Sequence, residues 1–293
     1  MSEALVDALV DELHQRRLRV WSLVITYFGD AVTPRGGVAW LGALKSLMAR
    51  LRIEEGTLGA AMSRLTADGW LERWREGRYS LYRLDQRGHE VFESAARRIY
   101  GVGGEPEPEY TGSWRWLVWP DSEADRTEAL KAAGCGKIGQ RVFLRPETTG
   151  SEGSSLETGA VAFSGRPLDL DQWTALVHDA YGLSRVSEAY DDVSERFDPL
   201  LRALQQGPEL EPVSAMAART LLIHEFRRVV LKDPWLPSEV RPKAWAGDRA
   251  RALVATLYRC LLSRSEAWLS APERSPRPIP DPESRFYERF GGL

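Results

Sequence analysis

Between residues 20 and 100 the spacing of apolar residues changes from helical to strand-like and back, and this order narrows the folds open to the chain. Val20, Leu23, Val24, Tyr27 and Phe28 recur along one helix face. Gly29 and the run Thr33-Pro34-Arg35-Gly36-Gly37 are predicted to stop that helix. Val38, Leu41, Leu44, Leu47, Met48 and Leu51 make the stripe of a second. A third is predicted over residues 55–67, burying Leu58, Met62 and Leu65 beside Ala61, with Gly69 placed to cap it. Residues 70–74 and 79–84 alternate and carry aromatics, so they read as strands, with Arg75-Glu76-Gly77-Arg78 joining them as a hairpin. A closing helix is predicted over residues 85–100. Helix, helix, helix, hairpin, helix is the order of a winged helix-turn-helix, whose third helix enters the DNA major groove while the hairpin tip touches phosphates or the minor groove.

Helical spacing then says which side chains face outward. With Leu58, Met62 and Leu65 turned in, Thr57, Ala60, Ser63 and Arg64 turn out. Small residues let such a helix sit deep in a groove, and Arg64 has the reach for a guanine edge or a phosphate. Arg35, Lys45, Arg75 and Arg78, with Tyr79 beside the last, are the candidate phosphate contacts.

The charge distribution agrees with a DNA partner only when it is divided. The whole chain carries a net charge of −3, which argues against a general nucleic-acid binder. Residues 1–15, however, hold four acids and no Lys or Arg, while residues 16–100 hold fifteen Lys and Arg against nine Asp and Glu. The remainder is acidic, at −5. A basic segment of domain length joined to an acidic body suggests a nucleic-acid-binding module.

At 293 residues the chain exceeds what one core usually fills. Gly- and Pro-rich residues 101–113 read as a linker, residues 148–159 as a long loop, residues 205–212 as a break between helices, and the five prolines of residues 270–284 as an extended tail. The expected organisation is multidomain α+β: a DNA-binding domain over residues 16–100, a linker and middle domain over 101–182, and an all-α domain over 183–293. No apolar run approaches the roughly 18–20 residues needed to span a bilayer, and residues 1–17 have no signal-peptide pattern, so a cytoplasmic protein without a membrane partner is expected. Cys135 and Cys260 fit no metal or redox spacing and read as reduced core residues.

Catalytic patterns are absent from the sequence. No Gly-rich phosphate loop or nucleophile elbow occurs, and His224-Glu225 fails the zinc-protease pattern because position 228 is Arg. Arg227, Arg228 and Lys232 are candidates for binding an anion such as a CoA phosphate, or for pairing with acids.

Long ordered motifs carry a resemblance to a known family. SLVITYFGDAVTPRGGVAWLGALKSLM and RLTADGWLERWREGRYSLYRL, then TLLIHEFRRVVLKDPWLP, WAGDRAR and RFYERFGGL, resemble the PaaX family, bacterial repressors of phenylacetic-acid catabolism, over residues 18–293. The resemblance implies a GntR-like winged-helix reader, a ferredoxin-like middle domain similar to Cas2 and a helical dimerisation domain. It further implies a homodimer on double-stranded operator DNA, without a cofactor, released when an aryl-CoA effector, phenylacetyl-CoA, binds. Residues 114–119, a helix with Leu130, residues 141–145, residues 159–163 and a helix over 168–181 fit the ferredoxin-like order, its last strand left unplaced. Two positions depart from the family: Gly59 stands where an arginine is usual, and Arg78-Tyr79 where an Arg-Arg pair is usual. Both remove a DNA-contacting charge, which leaves the operator and target open. The competing expectations are an enzyme, either a Cas2-like metal-dependent nuclease using Asp121 or an acyl-CoA hydrolase, and a scaffold whose winged helix binds protein.

Overall fold

The structure is a computed structural model that describes residues 1–16, 18–101, 109–119, 127–149, 157–207 and 209–293. Its contacts divide the chain into two compact units. One comprises residues 1–104, 190–231 and 249–293; the other comprises residues 105–189 and 232–248. The predicted reader and much of the C-terminal helical segment therefore share one core.

In the first unit, helix α1 (Ser2–Gln15) buries Val6, Leu9, Val10 and Leu13. In the sequence this segment, an acidic tip, stands out only for its four acids. Helix α2 (Val20–Tyr27) does not stop at Gly29: the chain continues through a π-turn, Phe28–Val32, and a short 3-10 turn, Thr33–Arg35. Strand β1 (Val38–Trp40) follows, so exposed Val38 belongs to a strand rather than to the second helix. Helices α3 (Leu41–Arg50) and α4 (Glu55–Ala67) precede a hairpin of β2 (Leu71–Glu76) and β3 (Tyr79–Leu84). β3 lies between β1 and β2 in a three-stranded antiparallel sheet. Helix α5 (Gln86–Tyr100) starts on Asp85, whose carboxylate accepts from the Gly88 N–H at 2.7 Å.

Helix α9 (Pro212–Val230) is the centre of this unit, packed against α1, α2, α3 and α5. It is buried from Ser214 to Phe226, so its polar residues need internal partners. Arg219 reaches Asp30, and Glu225 accepts from Arg196 at 2.8 Å. Thr26 donates its one hydroxyl hydrogen to the Ser22 carbonyl at 2.8 Å, so His224 Nδ1–H donates to Thr26 Oγ1 at 3.2 Å. Helix α10 (Ala246–Ser270) contributes Tyr258, Ser265 and Glu266 to the same core. The proline-rich tail that follows holds a 3-10 turn, Pro272–Arg274, and no longer helix before residue 284, and it docks on the unit. Glu283 N–H donates to the Pro34 carbonyl at 2.9 Å, and Arg274 donates to Ser46 at 3.2 Å.

The second unit is built on an antiparallel sheet ordered β5-β6-β4-β7: β4 is Tyr110–Val118, β5 Gly136–Ile138, β6 Val142–Thr148 and β7 Val161–Gly165. Helix α6 (Thr127–Ala132) comes before β5 and α7 (Leu170–Tyr181) after β7; α8 (Leu183–Gln206) begins in this unit. The order is thus β-α-β-β-β-α. The segments expected from sequence are all present, with β5 as an added short strand between α6 and β6, and among the described residues no strand follows α7. Trp114, fully buried, meets Trp173 of α7 edge-on at 4.9 Å. The Tyr181 hydroxyl lies 3.0 and 2.9 Å from the Gly134 and Leu144 carbonyl oxygens, which share its one hydrogen. Glycine is required at 136, since a Cβ there would lie 2.5 Å from the Tyr181 ring. Cys135 is buried, and burial pushes its thiol up to about 11, whereas Cys260 is exposed, contrary to its reading as a core residue. Among the described residues no helix is long and apolar enough to cross a membrane.

Candidate nucleic-acid interface

Helix α4 buries Leu58, Ala61, Met62 and Leu65 and exposes Thr57, Ala60, Ser63 and Arg64. Gly56 and Gly59 lie on its exposed surface too, with open space where a side chain would project. The outward face is therefore smooth, and Arg64 is its one long cationic side chain. Its guanidinium leans toward Asp68 at 3.4 Å while staying mostly exposed, a contact solvent screens strongly.

The hairpin turns at Gly77, whose φ of +55° suits glycine, and this places Arg75 and Arg78 at the exposed tip. Arg78 lies over the Tyr79 ring at 5.3 Å, and Tyr79 meets Trp40 edge-on at 5.6 Å. Arg73 and Arg83 lie over Tyr82 and Trp74 at 5.8 and 5.7 Å. The two acids of β2 are both neutralised: Glu72 pairs with Arg83 at 2.6 Å, and Glu76 with Arg277 of the tail at 3.0 Å. Arg73 also lines a groove of about 500 Å³ shared with Lys45, Gly59, Ser63 and Tyr82. Sequence reasoning missed Arg73 and Arg277. The alternation of β2 was the available signal for Arg73; nothing local marks Arg277.

Several other basic residues of the 16–100 segment pair with acids of the same unit, some buried and some at its surface. Arg35 is only 5% exposed, donating to Glu266 at 2.5 Å and to the Pro280 carbonyl at 2.8 Å. Its reading as a phosphate contact is corrected accordingly, because its charge is already paired away from solvent. Lys45 pairs with Glu55. Arg50 pairs with Asp7 at 2.9 Å and Glu3 at 3.3 Å, and Arg52 with Asp11. The acidic tip is therefore the internal counter-charge of these arginines. Exposed arginines without an acidic partner among the described residues remain on the hairpin, at Arg73, Arg75 and Arg78, and also at Arg19, Arg87 and Arg97.

Two of the three anion-binding candidates are already engaged within the first unit. Arg227 donates to the Ser22 hydroxyl and carbonyl at 2.5 and 3.0 Å, and burial with Arg228 nearby lowers its pKa. Arg228 pairs with Glu225 at 3.2 Å, and exposed Lys232 belongs to the other unit. Among the described residues no cluster of three His, Cys, Asp or Glu side chains is placed to hold a metal, and Asp121 lies outside the described residues.

Comparison with known proteins gives this geometry a family. Residues 19–88 match the profile described as PaaX-like protein, and residues 181–271 match the PaaX-like protein C-terminal domain. The chain is 33% identical over 287 residues to the transcriptional repressor PaaX of Escherichia coli strain K12, covering 93% of this chain and 90% of that protein. A solved structure, of an uncharacterised protein from Mycobacterium tuberculosis, matches in fold with a TM-score of 0.54 at 22% identity, over 78% of this chain and 91% of that one. The chain belongs to the PaaX family, a family of transcriptional regulators rather than enzymes.

Proposed function

We propose that the protein is a DNA-binding transcriptional repressor of an aromatic, phenylacetate-type catabolic operon, with α4 and the β2–β3 hairpin as a winged-helix reader. The observation that carries this reading is the smooth outward face of α4, crowned by Arg64, beside a hairpin tip bearing Arg75 and Arg78, in a member of this family. Groove depth suits a helix without bulky outward side chains, and the arginines supply phosphate and base-edge contacts. A homodimer presents two such readers about a two-fold axis and so reads a near-palindromic operator. An aryl-CoA thioester such as phenylacetyl-CoA releases the protein from DNA, which requires that it bind the DNA-free arrangement more tightly than the bound one.

A mobility shift on DNA from the protein's own promoter region tests the reading. Salt-sensitive binding that prefers the promoter over a scrambled duplex at submicromolar protein is the expected result. Equal, weak binding to both duplexes overturns it.

A further inference from the structure

Within the first unit lies a cleft of about 580 Å³ that Arg64, Arg75 and Arg78 do not line, although Arg83 of β3 does. Its walls are α5, through Phe92, Arg97 and Tyr100, and the C-terminal segment, through Arg285, Phe286 and Arg289. Residues between Gly29 and Gly37 complete it. Glycine is required at 29, because a Cβ there would lie 1.3 Å from the Phe92 ring. This volume falls within the roughly 300–1,000 Å³ of small-molecule sites.

The lining combines aromatic surface with cationic charge. Four arginines, completed by Arg83, and His89 face two carboxylates, Glu93 and Glu283. Arg289 and Arg83 are already paired, with Asp30 and Glu72. Arg97 and Arg285 are exposed, and among the described residues neither makes a side-chain hydrogen bond or ion pair. Two uncommitted guanidiniums in a lining that also holds Phe92 and Phe286 suit a ligand that is both aromatic and multiply anionic.

The cleft also abuts the element that sets the first helix of the reader. Tyr100 donates to Asp30 Oδ1 at 2.7 Å, and Arg289 donates to the same oxygen at 3.0 Å and to the Asp30 carbonyl at 2.9 Å. Asp30 sits in the π-turn that continues α2, and α2 packs on α4. Phe290, held at φ +55°, lays its ring against Tyr100 and Tyr258 and fixes the backbone beside Arg289. A ligand that shifts Arg289 or Tyr100 therefore acts on the seat of α2, with α4 its direct neighbour.

We propose that this cleft is the effector site, taking an aromatic polyanion of the aryl-CoA class, with Arg97 and Arg285 binding its phosphates. The proposal rests on the repressor reading and locates its switch.

The test is calorimetric titration of the full chain with phenylacetyl-CoA, CoA and phenylacetate, for the unaltered protein and for Arg97→Ala/Arg285→Ala, each also assayed on promoter DNA. The variant is expected to keep its melting temperature and effector-free DNA affinity while binding phenylacetyl-CoA about tenfold or more weakly. Equal phenylacetyl-CoA affinity in both proteins overturns the site alone. Loss of DNA affinity with unchanged phenylacetyl-CoA binding overturns it too, making the cleft a DNA contact. Failure of the unaltered protein to bind any of the three probes overturns the effector reading itself.

Discussion

Arg219 Nε lies 2.6 Å from Asp30 Oδ2, joining the middle of the central helix α9 to the π-turn after α2 where both side chains are almost wholly buried. Burial opposes the charge on Arg219, but Asp30, Tyr258 and Glu266 outweigh it and hold the guanidinium well above its ordinary pKa. Burial, with Asp30 alongside, likewise raises the Tyr100 phenol, which stays a hydrogen-bond donor. Asp30 thus gathers contacts from α5, α9, α10 and the C-terminal segment.

Asp30→Asn leaves Arg219 and Arg289 buried beside a neutral amide. It is expected to cost about 3–5 kcal/mol, the usual penalty for removing one partner of a buried pair. Arg289→Met should cost less, since Asp30 keeps Arg219. Urea unfolding of the three proteins measures both, and equal midpoints would show that the network contributes little.

The docking of α1 ought to depend on apolar contact more than on its acids. Asp7 is half-exposed beside Arg50 and Arg52, so Asp7→Asn should cost no more than about 1 kcal/mol. Leu9→Ala empties a buried site and should cost about 2–5 kcal/mol. The ranking is read from thermal and denaturant unfolding; the reverse ranking would make the ion pairs the main anchor.

His224 gives the protein an acid-side weakness. Burial, reinforced by Arg227 and Arg228, lowers its pKa to about 3 from an ordinary 6.5. Between those values the unfolded chain binds a proton that the folded chain refuses, so this contribution to stability falls as pH drops below about 6.5. The slope reaches up to about 1.4 kcal/mol per pH unit. His224→Gln should flatten the fall in stability between pH 6.5 and 4 relative to the unaltered protein. Parallel pH profiles for the two would refute this.

Arg35 and Arg75 should separate fold from DNA contact. Arg75→Ala is expected to lower the slope of log affinity against log salt by about 0.9, one phosphate contact, with unchanged melting. Arg35→Ala removes one of the two arginine partners of Glu266 and should lower the melting temperature while leaving the slope intact. Salt titrations alongside melting curves distinguish the two.

What the sequence conveyed and what it hid follow from the range of the interactions. The bounds and buried face of α4 were legible because Leu58, Met62 and Leu65 repeat at 3.6-residue spacing and Gly69 follows at a φ of +68°. The hairpin was legible from alternation, although β2 runs on to Glu76. The burial of Arg35 was not, because its carboxylate partner is 231 residues away and a charged side chain carries no local sign of being paired inside. The tail lacked periodicity, so its docking on Pro34, Ser46 and Glu76 had no pattern to announce it. At Gly29 the glycine reads locally as a helix stop, while its use is to admit the Phe92 ring.

The reader assignment meets its most direct test in fluorescence anisotropy of a promoter duplex titrated with the unaltered protein and with Arg64→Ala, Arg78→Ala and the double variant, over a range of salt. Arg64→Ala should cost about 1–3 kcal/mol of promoter affinity if it reads a guanine edge. Arg78→Ala should reduce the salt slope by about 0.9. The double variant should do both while melting as the unaltered protein does. Unchanged affinity and slope in a folded double variant would contradict the assignment of α4 and the hairpin as the DNA-reading surface.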